Sequence, residues 1–346
     1  MIVLFGLFYV LGINSSTKKG WDIIPYMGIV ERSFEPDIKK VHSTVYAELK
    51  ALVSKDDFHY LTYESCHRCY AAYTDVRSFE KMLNNYRTRS LSIWVSRVFR
   101  KAGCSLPFSA EAPSYISVFL IVLILYRWLC GCYERYIAFA GAAAIMLLPG
   151  FSIIQNSADP GALSTMLTLL SLYLLANRKP VYIIAIAMLL SVFARVDNIV
   201  LVASYIAIEY FPRAKYVIIL AVAGAVASSI AVHFNMLRSF PIPGGLSIYL
   251  ENITNPTQWQ HIYEAFMREG YYYFLFSSLL LLLFAPQQLK HIIRIVIMAA
   301  TLHLLLFPVL EPRFFTAFNT VAIVLLAIFL NTLKSEMAEN MPIACR

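Results

Sequence analysis

What most constrains this chain is a series of apolar runs, each about 15 to 21 residues long, separated by short polar turns. They fall at 1–14, 113–131, 136–154, 160–177, 180–194, 198–212, 216–234, 271–286, 291–309 and 315–333. Backbone amides in so much apolar sequence must be satisfied internally, and a helix does this within a single segment. The expected fold is all-α, a polytopic membrane protein of about 10 transmembrane helices. Composition agrees: 59% of the 346 residues are hydrophobic and 14% are charged, against about a quarter charged in a soluble domain. The net charge of +8 raises nucleic acid as a partner. The Lys and Arg residues, however, are dispersed between apolar runs rather than gathered in a patch, so topology explains them and no nucleic-acid partner is expected.

Basic residues in short loops orient such a bundle. Turns holding Arg127 and Arg135, Arg178 and Lys179, Arg213 and Lys215, and Lys290 and Arg294 alternate with turns nearly empty of Lys and Arg, and Lys334 follows the last run. The positive-inside rule puts those turns and both termini in the cytoplasm, in what is expected to be an inner (plasma) membrane. The chain then reads as one integral membrane domain over 1–346. It comprises a first helix at 1–14, an outer loop at 15–112, six helices within 113–234, a second outer loop at 235–270, three helices within 271–333 and a cytoplasmic tail at 334–346. The first run reads as an uncleaved helix, because no small-x-small cleavage site follows it.

The first outer loop carries apolar residues at helical spacing over Pro25–Phe34, Val41–Val53 and Arg89–Ala102. In the last stretch Leu91, Trp94, Val95, Val98 and Phe99 stand among Arg97, Arg100 and Lys101. Amphipathic helices lying on the bilayer surface are the expectation, with a small folded cap as the alternative. The second outer loop opens with Pro241, Pro243, Gly244 and Gly245 and then carries Tyr249, Trp259, Tyr263, Tyr271, Tyr272 and Tyr273, residues of interfacial anchors. Of six cysteines, Cys66 and Cys69 enclose His67 and Arg68 in the outer loop. The second ligand pair of a zinc site is missing, so a disulfide or free thiols are favoured, with Cys104 as another outer partner. Cys130, Cys132 and Cys345 fall on the cytoplasmic side and should be reduced. Two sequons, at Asn14 and Asn252, lie on the outer side. There is no Gly-rich phosphate loop, GxSxG or HExxH.

Ionic residues at the ends of the runs carry the functional signal. Asp159, the Arg195/Asp197 pair with Asn198, and the Glu311/Arg313 pair each stand at the outer mouth of a run, and Asp22 follows the first run on that same face. Charges at membrane depth are costly and face polar cavities or functional sites. Each also has a structural explanation. Asp159-Pro160 suits a helix cap, the two acid–arginine pairs suit local neutralisation, and Asp22 suits a solvated loop start. Convergence on one face favours a shared site.

Several local sequences resemble the GT-C superfamily of integral membrane glycosyltransferases, which use polyprenyl-phosphate sugars as donors. They are Gly20-Trp21-Asp22-Ile23-Ile24-Pro25-Tyr26, His42-Ser43-Thr44-Val45-Tyr46-Ala47-Glu48, Ser157-Ala158-Asp159-Pro160-Gly161-Ala162-Leu163, Ala194-Arg195-Val196-Asp197-Asn198 and Glu311-Pro312-Arg313-Phe314-Phe315. The first two look like an uncharacterised bacterial branch. The resemblance implies a first outer loop folded over a cavity, with Asp22 as the catalytic base and Arg195 and Arg313 binding the lipid phosphate. It implies that Asp159, Asp197, Asn198 and Glu311 orient the arginines or the sugar. The implied partners are a polyprenyl-phosphate-linked sugar, a glycan or lipid acceptor of the cell envelope, and the bilayer. No cofactor is required, and a divalent metal is left open. A carboxylate can take the acceptor proton while arginines stabilise the departing phosphate. Rival readings are a transporter or flippase of a lipid-linked saccharide, a polysaccharide polymerase, and a scaffold subunit.

Overall fold

The computed structural model describes residues 2–3, 5–6, 19–64, 67–148, 150–151, 154, 158–210, 255–268, 271–306 and 312–340. These hold 15 α-helices and no strand, so the chain is all-α as expected. The helices form two hydrophobic clusters that share one long helix.

The first cluster is built by α1 (Ile23–Glu31), α2 (Ile38–Leu52), α3 (Lys55–His59), α4 (His67–Thr74), α5 (Val76–Tyr86) and α6 (Ser90–Lys101), with a π-helical turn at Tyr60–Glu64. Local chemistry starts several of them. Asp37 accepts from the Lys39 amide at 2.9 Å, Ser54 from Asp57 at 3.1 Å, and Asp75 from Ser78 at 2.8 Å, each satisfying a free N–H of a first turn. Helix α1 is buried from Ile23 through Val30. At Gly28 a Cβ would stand 2.6 Å from a Leu83 methyl and 2.9 Å from the Phe79 ring, so this glycine lets α1 and α5 cross closely. Met27, Val41, Val45, Leu49, Phe79, Leu83 and Ile93 fill the space between the helices.

The helices expected in this loop are therefore present, but they form a cap with its own core rather than separate surface helices. Helix α6 shows why the sequence pointed otherwise. Its inner face is Ser92, Ile93 and Ser96, small enough for close packing, while Trp94 is 62% exposed and Val98 48%. The apolar stripe faces outward.

Helix α7 (Leu106–Leu129) begins in the cap, where Leu106 and Ala110 join that core, and runs through Val118, Ile121 and Leu125 into the second cluster. Around it stand α8 (Arg135–Met146), α9 (Gly161–Ala176), α10 (Val181–Ala194), α11 (Ile199–Tyr210), α12 (Pro256–Arg268), α13 (Tyr272–Phe284), α14 (Gln287–Leu306) and α15 (Pro312–Asn340). Helix α9 is central, packing against α7, α10, α14 and α15. It ends where Arg178 takes a left-handed backbone and the Lys179 amide bonds back to Leu174, just before Pro180.

Most expected runs match these helices closely, but their lengths differ from the expectation. Among the described residues two helices, Leu106–Leu129 and Phe315–Glu336, are long and apolar enough to cross a membrane. Arg135–Met146, Gly161–Ala176, Val181–Ala194 and Tyr272–Phe284 are apolar but shorter. The reason is local. Prolines and small polar turns limit the short ones, as at Pro180 after Ala176 and Pro286 after Phe284, so hydropathy alone overstates the length of those helices. The run at 216–234, most of the run at 1–14 and residues 235–254 of the second outer loop lie outside the described residues.

The shorter helices have an inverted pattern. On α13 the buried side is Phe274, Ser277, Ser278 and Leu281, while Leu275, Phe276, Leu279, Leu283 and Phe284 are exposed. On α10 the buried side includes Ser191 and two alanines, while Val181, Tyr182, Ile186, Leu189 and Phe193 are exposed. The central α9 buries Ser164, Thr165, Thr168 and Ser171.

Candidate functional site

Where the cap meets the bundle, the turn before α9 and the turn after α10 come together through Asp159 and Arg195, which are 1% and 5% exposed. The Asp159 carboxylate accepts from the Gly161 amide at 2.7 Å and from Arg195 Nη1 at 3.3 Å. Arg195 Nε donates to Asp197 Oδ1 at 3.1 Å. The other oxygen of Asp197 lies 3.2 Å from His303 Nε2 on α14. Four ionisable groups from three parts of the chain thus make one buried row. Asp159 is both a helix cap and an ion-pair partner, so its cap explanation and the site explanation hold together. Burial pushes the Asp197 carboxyl up, but Arg195 and His303 outweigh it and hold it well below the usual carboxylate range.

Asn198 bonds to the flanking helices. Its amide donates to Ser164 Oγ at 2.7 Å and to the Ser191 carbonyl at 2.9 Å, tying α9 to the end of α10. Beside it Ser164, Thr165, Thr168, Asp197, His303, Ala317 and Phe318 line a small polar cavity with space for about one water molecule.

Asp22 reaches the same junction from the cap. It occupies the N-cap position of α1, yet its side chain makes no capping bond there. Instead the Tyr86 hydroxyl donates to it at 3.2 Å. The Tyr86 ring stands edge-on to Tyr26 at 5.5 Å and to Trp21 at 5.8 Å, and the Arg89 guanidinium lies 4.8 Å from its centroid. Tyr26 connects the two acids. Burial raises its phenol, Arg89 opposes that rise, and the charges of Asp159 and Asp22 both add to it. The charges of Asp22 and Asp159 are therefore both felt at this one buried phenol. Ala158, next to Asp159, belongs to the cap core. Ser90 Oγ donates to the Phe193 carbonyl at 3.5 Å, seating α6 on the end of α10.

A further carboxylate lies one turn before Ser114, whose hydroxyl donates to the Asp159 carbonyl at 3.3 Å. Glu111 is buried, pairs with Lys19 at 2.7 Å and accepts from the Tyr115 hydroxyl at 2.6 Å. This pair ties the chain just before Trp21 to α7 and so fixes where Asp22 stands.

Of the residues singled out in the sequence, Asp159, Arg195 and Asp197 are in direct contact and Asp22 adjoins them through Tyr26 and Tyr86. Arg313 lies in the first turn of α15, close to Phe315, whose ring meets that of His303 at 5.4 Å; its side chain and all of Glu311 lie outside the described residues. His303, Tyr26, Tyr86, Arg89 and Glu111 were not foreseen. His303 was open to detection, as the ionisable residue deepest in the run 291–309, whose other two, His291 and Arg294, stand at its start.

Cys69 is disulfide-bonded, with its partner outside the described residues, and Cys104, Cys130 and Cys132 are free thiols. Among the described residues no three His, Cys, Asp or Glu side chains come together to hold a metal ion. The opposite end of the bundle holds the basic turns: Arg178 Nη2 donates to Gln288 Oε1 at 3.1 Å, and Asn331 Nδ2 to the Cys132 carbonyl at 2.8 Å. Comparison with protein-family models, curated proteins and solved structures finds no match to this chain.

Proposed function

We propose that this chain is an integral membrane glycosyltransferase that moves a sugar from a polyprenyl-phosphate donor to a cell-envelope acceptor on the outer face. The membrane part of the reading rests on the inverted helices. Faces of leucine and phenylalanine are exposed on α10 and α13 while serines are buried, a pattern suited to lipid, where polar groups seek the bundle interior. Exposed apolar area on this scale is otherwise rare on a soluble monomer. Ten spans with both termini cytoplasmic remain part of this proposal.

One observation carries the catalytic part. The Asp22 carboxylate stands at a helix start without capping it and instead accepts from Tyr86, whose ring packs edge-on against the buried Tyr26. In the proposed reaction Asp22 takes the proton of the acceptor hydroxyl as its oxygen attacks the anomeric carbon, and the polyprenyl phosphate departs with the electron pair of the broken bond. Arg313 stabilises the developing phosphate charge. Arg195 donates through Nη1 to Asp159 and through Nε to Asp197, so in this proposal it fixes the mouth of α9 and the start of α11 and adds positive charge at short range.

The test is transfer of labelled sugar from polyprenyl-phosphate donors by the full chain in proteoliposomes. Asp22→Asn, which keeps the Tyr86 contact, is expected to lower transfer by about 100-fold or more. Full activity in that variant removes Asp22 as base. The polar cavity around Asp197 and His303 favours a carrier as the second reading; donor translocation across vesicles without any transfer would select it.

A further inference from the structure

Tyr26 is 2% exposed, and its hydroxyl has no hydrogen-bond partner among the described residues. Buried hydroxyls are normally satisfied, because an unpaired one carries its full desolvation cost. Replacing Tyr by Phe would avoid that cost while keeping the ring contacts, so the hydroxyl's presence calls for a partner that arrives from outside. Its surroundings say which kind. Among the described residues the nearby charges are the carboxylates of Asp22 and Asp159, with Asp197 beyond, and the guanidiniums of Arg89 and Arg195. Three negative charges against two positive disfavour an anion. A metal cation is disfavoured too, because Arg89 already supplies a cation at that spot and Asp159 is committed to Arg195. What remains is a neutral group rich in hydroxyls.

The rim fits such a group. Trp21 and Tyr86 are half-buried and stand edge-on to one another, and Asp22 between them is half-buried as well. Ligand sites commonly combine aromatic walls with a few placed polar groups. A hydroxyl that donates to a carboxylate can accept from a phenol with its lone pairs.

We propose that Tyr26, with Asp22, Tyr86 and Trp21, forms a subsite for a neutral sugar ring. In it the Tyr26 hydroxyl donates to one sugar hydroxyl, which itself donates to the Asp22 carboxylate. The substrate class rests on the transferase reading above. Tyr26 is then a specificity-determining residue: it reads the presence of one hydroxyl at one ring position.

The experiment uses the full chain in lipid nanodiscs and saturation-transfer NMR with neutral methyl hexopyranosides as probes. Inorganic phosphate and magnesium serve as competitors. At least one methyl hexoside is expected to bind, with Tyr26→Phe weakening it about 10-fold. Tyr63→Phe, on the exposed side of the cap, leaves binding unchanged. A deoxy-hexoside lacking the hydroxyl that Tyr26 reads loses a similar factor against the wild type and nothing further against Tyr26→Phe, because both changes remove the same bond. Equal binding by wild type and Tyr26→Phe overturns the subsite, as does displacement of the hexoside by phosphate or magnesium, or the failure of every hexoside to bind. The binding needs no turnover. A chain that holds hexosides but transfers none keeps the subsite and loses the transferase reading, while transfer without any dependence on Tyr26 does the reverse.

Discussion

Removing the guanidinium from the buried row gives a sharp test of how that row is held. In Arg195→Met the carboxylates of Asp159 and Asp197 lose contacts of 3.3 and 3.1 Å at positions where Asp159 is 1% exposed and Arg195 5%. Taking one partner out of a buried ion pair costs about 3–5 kcal/mol, because the remaining charge is left without compensation. Both acids keep another bond, Asp159 from the Gly161 amide at 2.7 Å and Asp197 from His303 at 3.2 Å. The expected loss is therefore near the lower end, about 3 kcal/mol, or about 4 °C in unfolding temperature for a chain of this size. The sign with pH follows from the same contacts. In the wild type the depressed Asp197 gives stability that is present above the ordinary carboxylate pKa, about 4, and is lost as pH falls below it. In the variant burial, the largest influence on Asp197, is opposed by His303 alone and raises its carboxyl, so the folded state binds protons more readily than the unfolded chain. The variant thus regains stability as pH falls from about 8 to 5, where the wild type changes little. Thermal unfolding in detergent across that pH range is the assay. A variant within about 1 °C of wild type at pH 8 refutes the reasoning, and so does a deficit that ignores pH.

The free cysteines test the orientation. A membrane-impermeant maleimide applied to intact cells is expected to label Cys104 in the cap and to spare Cys130 and Cys132 at the other end; labelling of the latter pair would invert the topology. Leu279→Lys places a charge on the exposed apolar face of α13. In lipid that costs about 2.5–3.5 kcal/mol at mid-span and should lower the membrane-inserted yield, whereas unchanged yield with improved solubility would mark the face as water-exposed.

The bundle was legible because its runs are long, apolar and ended by Pro180, Pro286 and basic turns, signals that survive without tertiary knowledge. The cap was only half legible. Helix α1 is buried on every side from Ile23 to Val30, so it has no polar face to mark its period. In α6 two serines, Ser92 and Ser96, are buried beside Ile93 while Trp94 and Val98 are exposed, against the usual rule. The row of Asp159, Arg195 and Asp197 could be anticipated from charges at the ends of apolar runs. Tyr26, Tyr86 and Arg89 could not, since they matter only once α1, α5 and α6 have packed, and tyrosines elsewhere in this chain serve as surface aromatics such as Tyr63 and Tyr263.

The most direct measurement is an experimental structure of the full chain in a lipid nanodisc with a phosphonate analogue of a polyprenyl-phosphate sugar. Sugar density is expected at the cap–bundle junction, within hydrogen-bond reach of the Tyr26 hydroxyl and the Asp22 carboxylate, with the phosphonate toward the start of α15. Density lodged instead at the far end of the bundle, between Trp128, Asn177 and Gln288, would contradict the account.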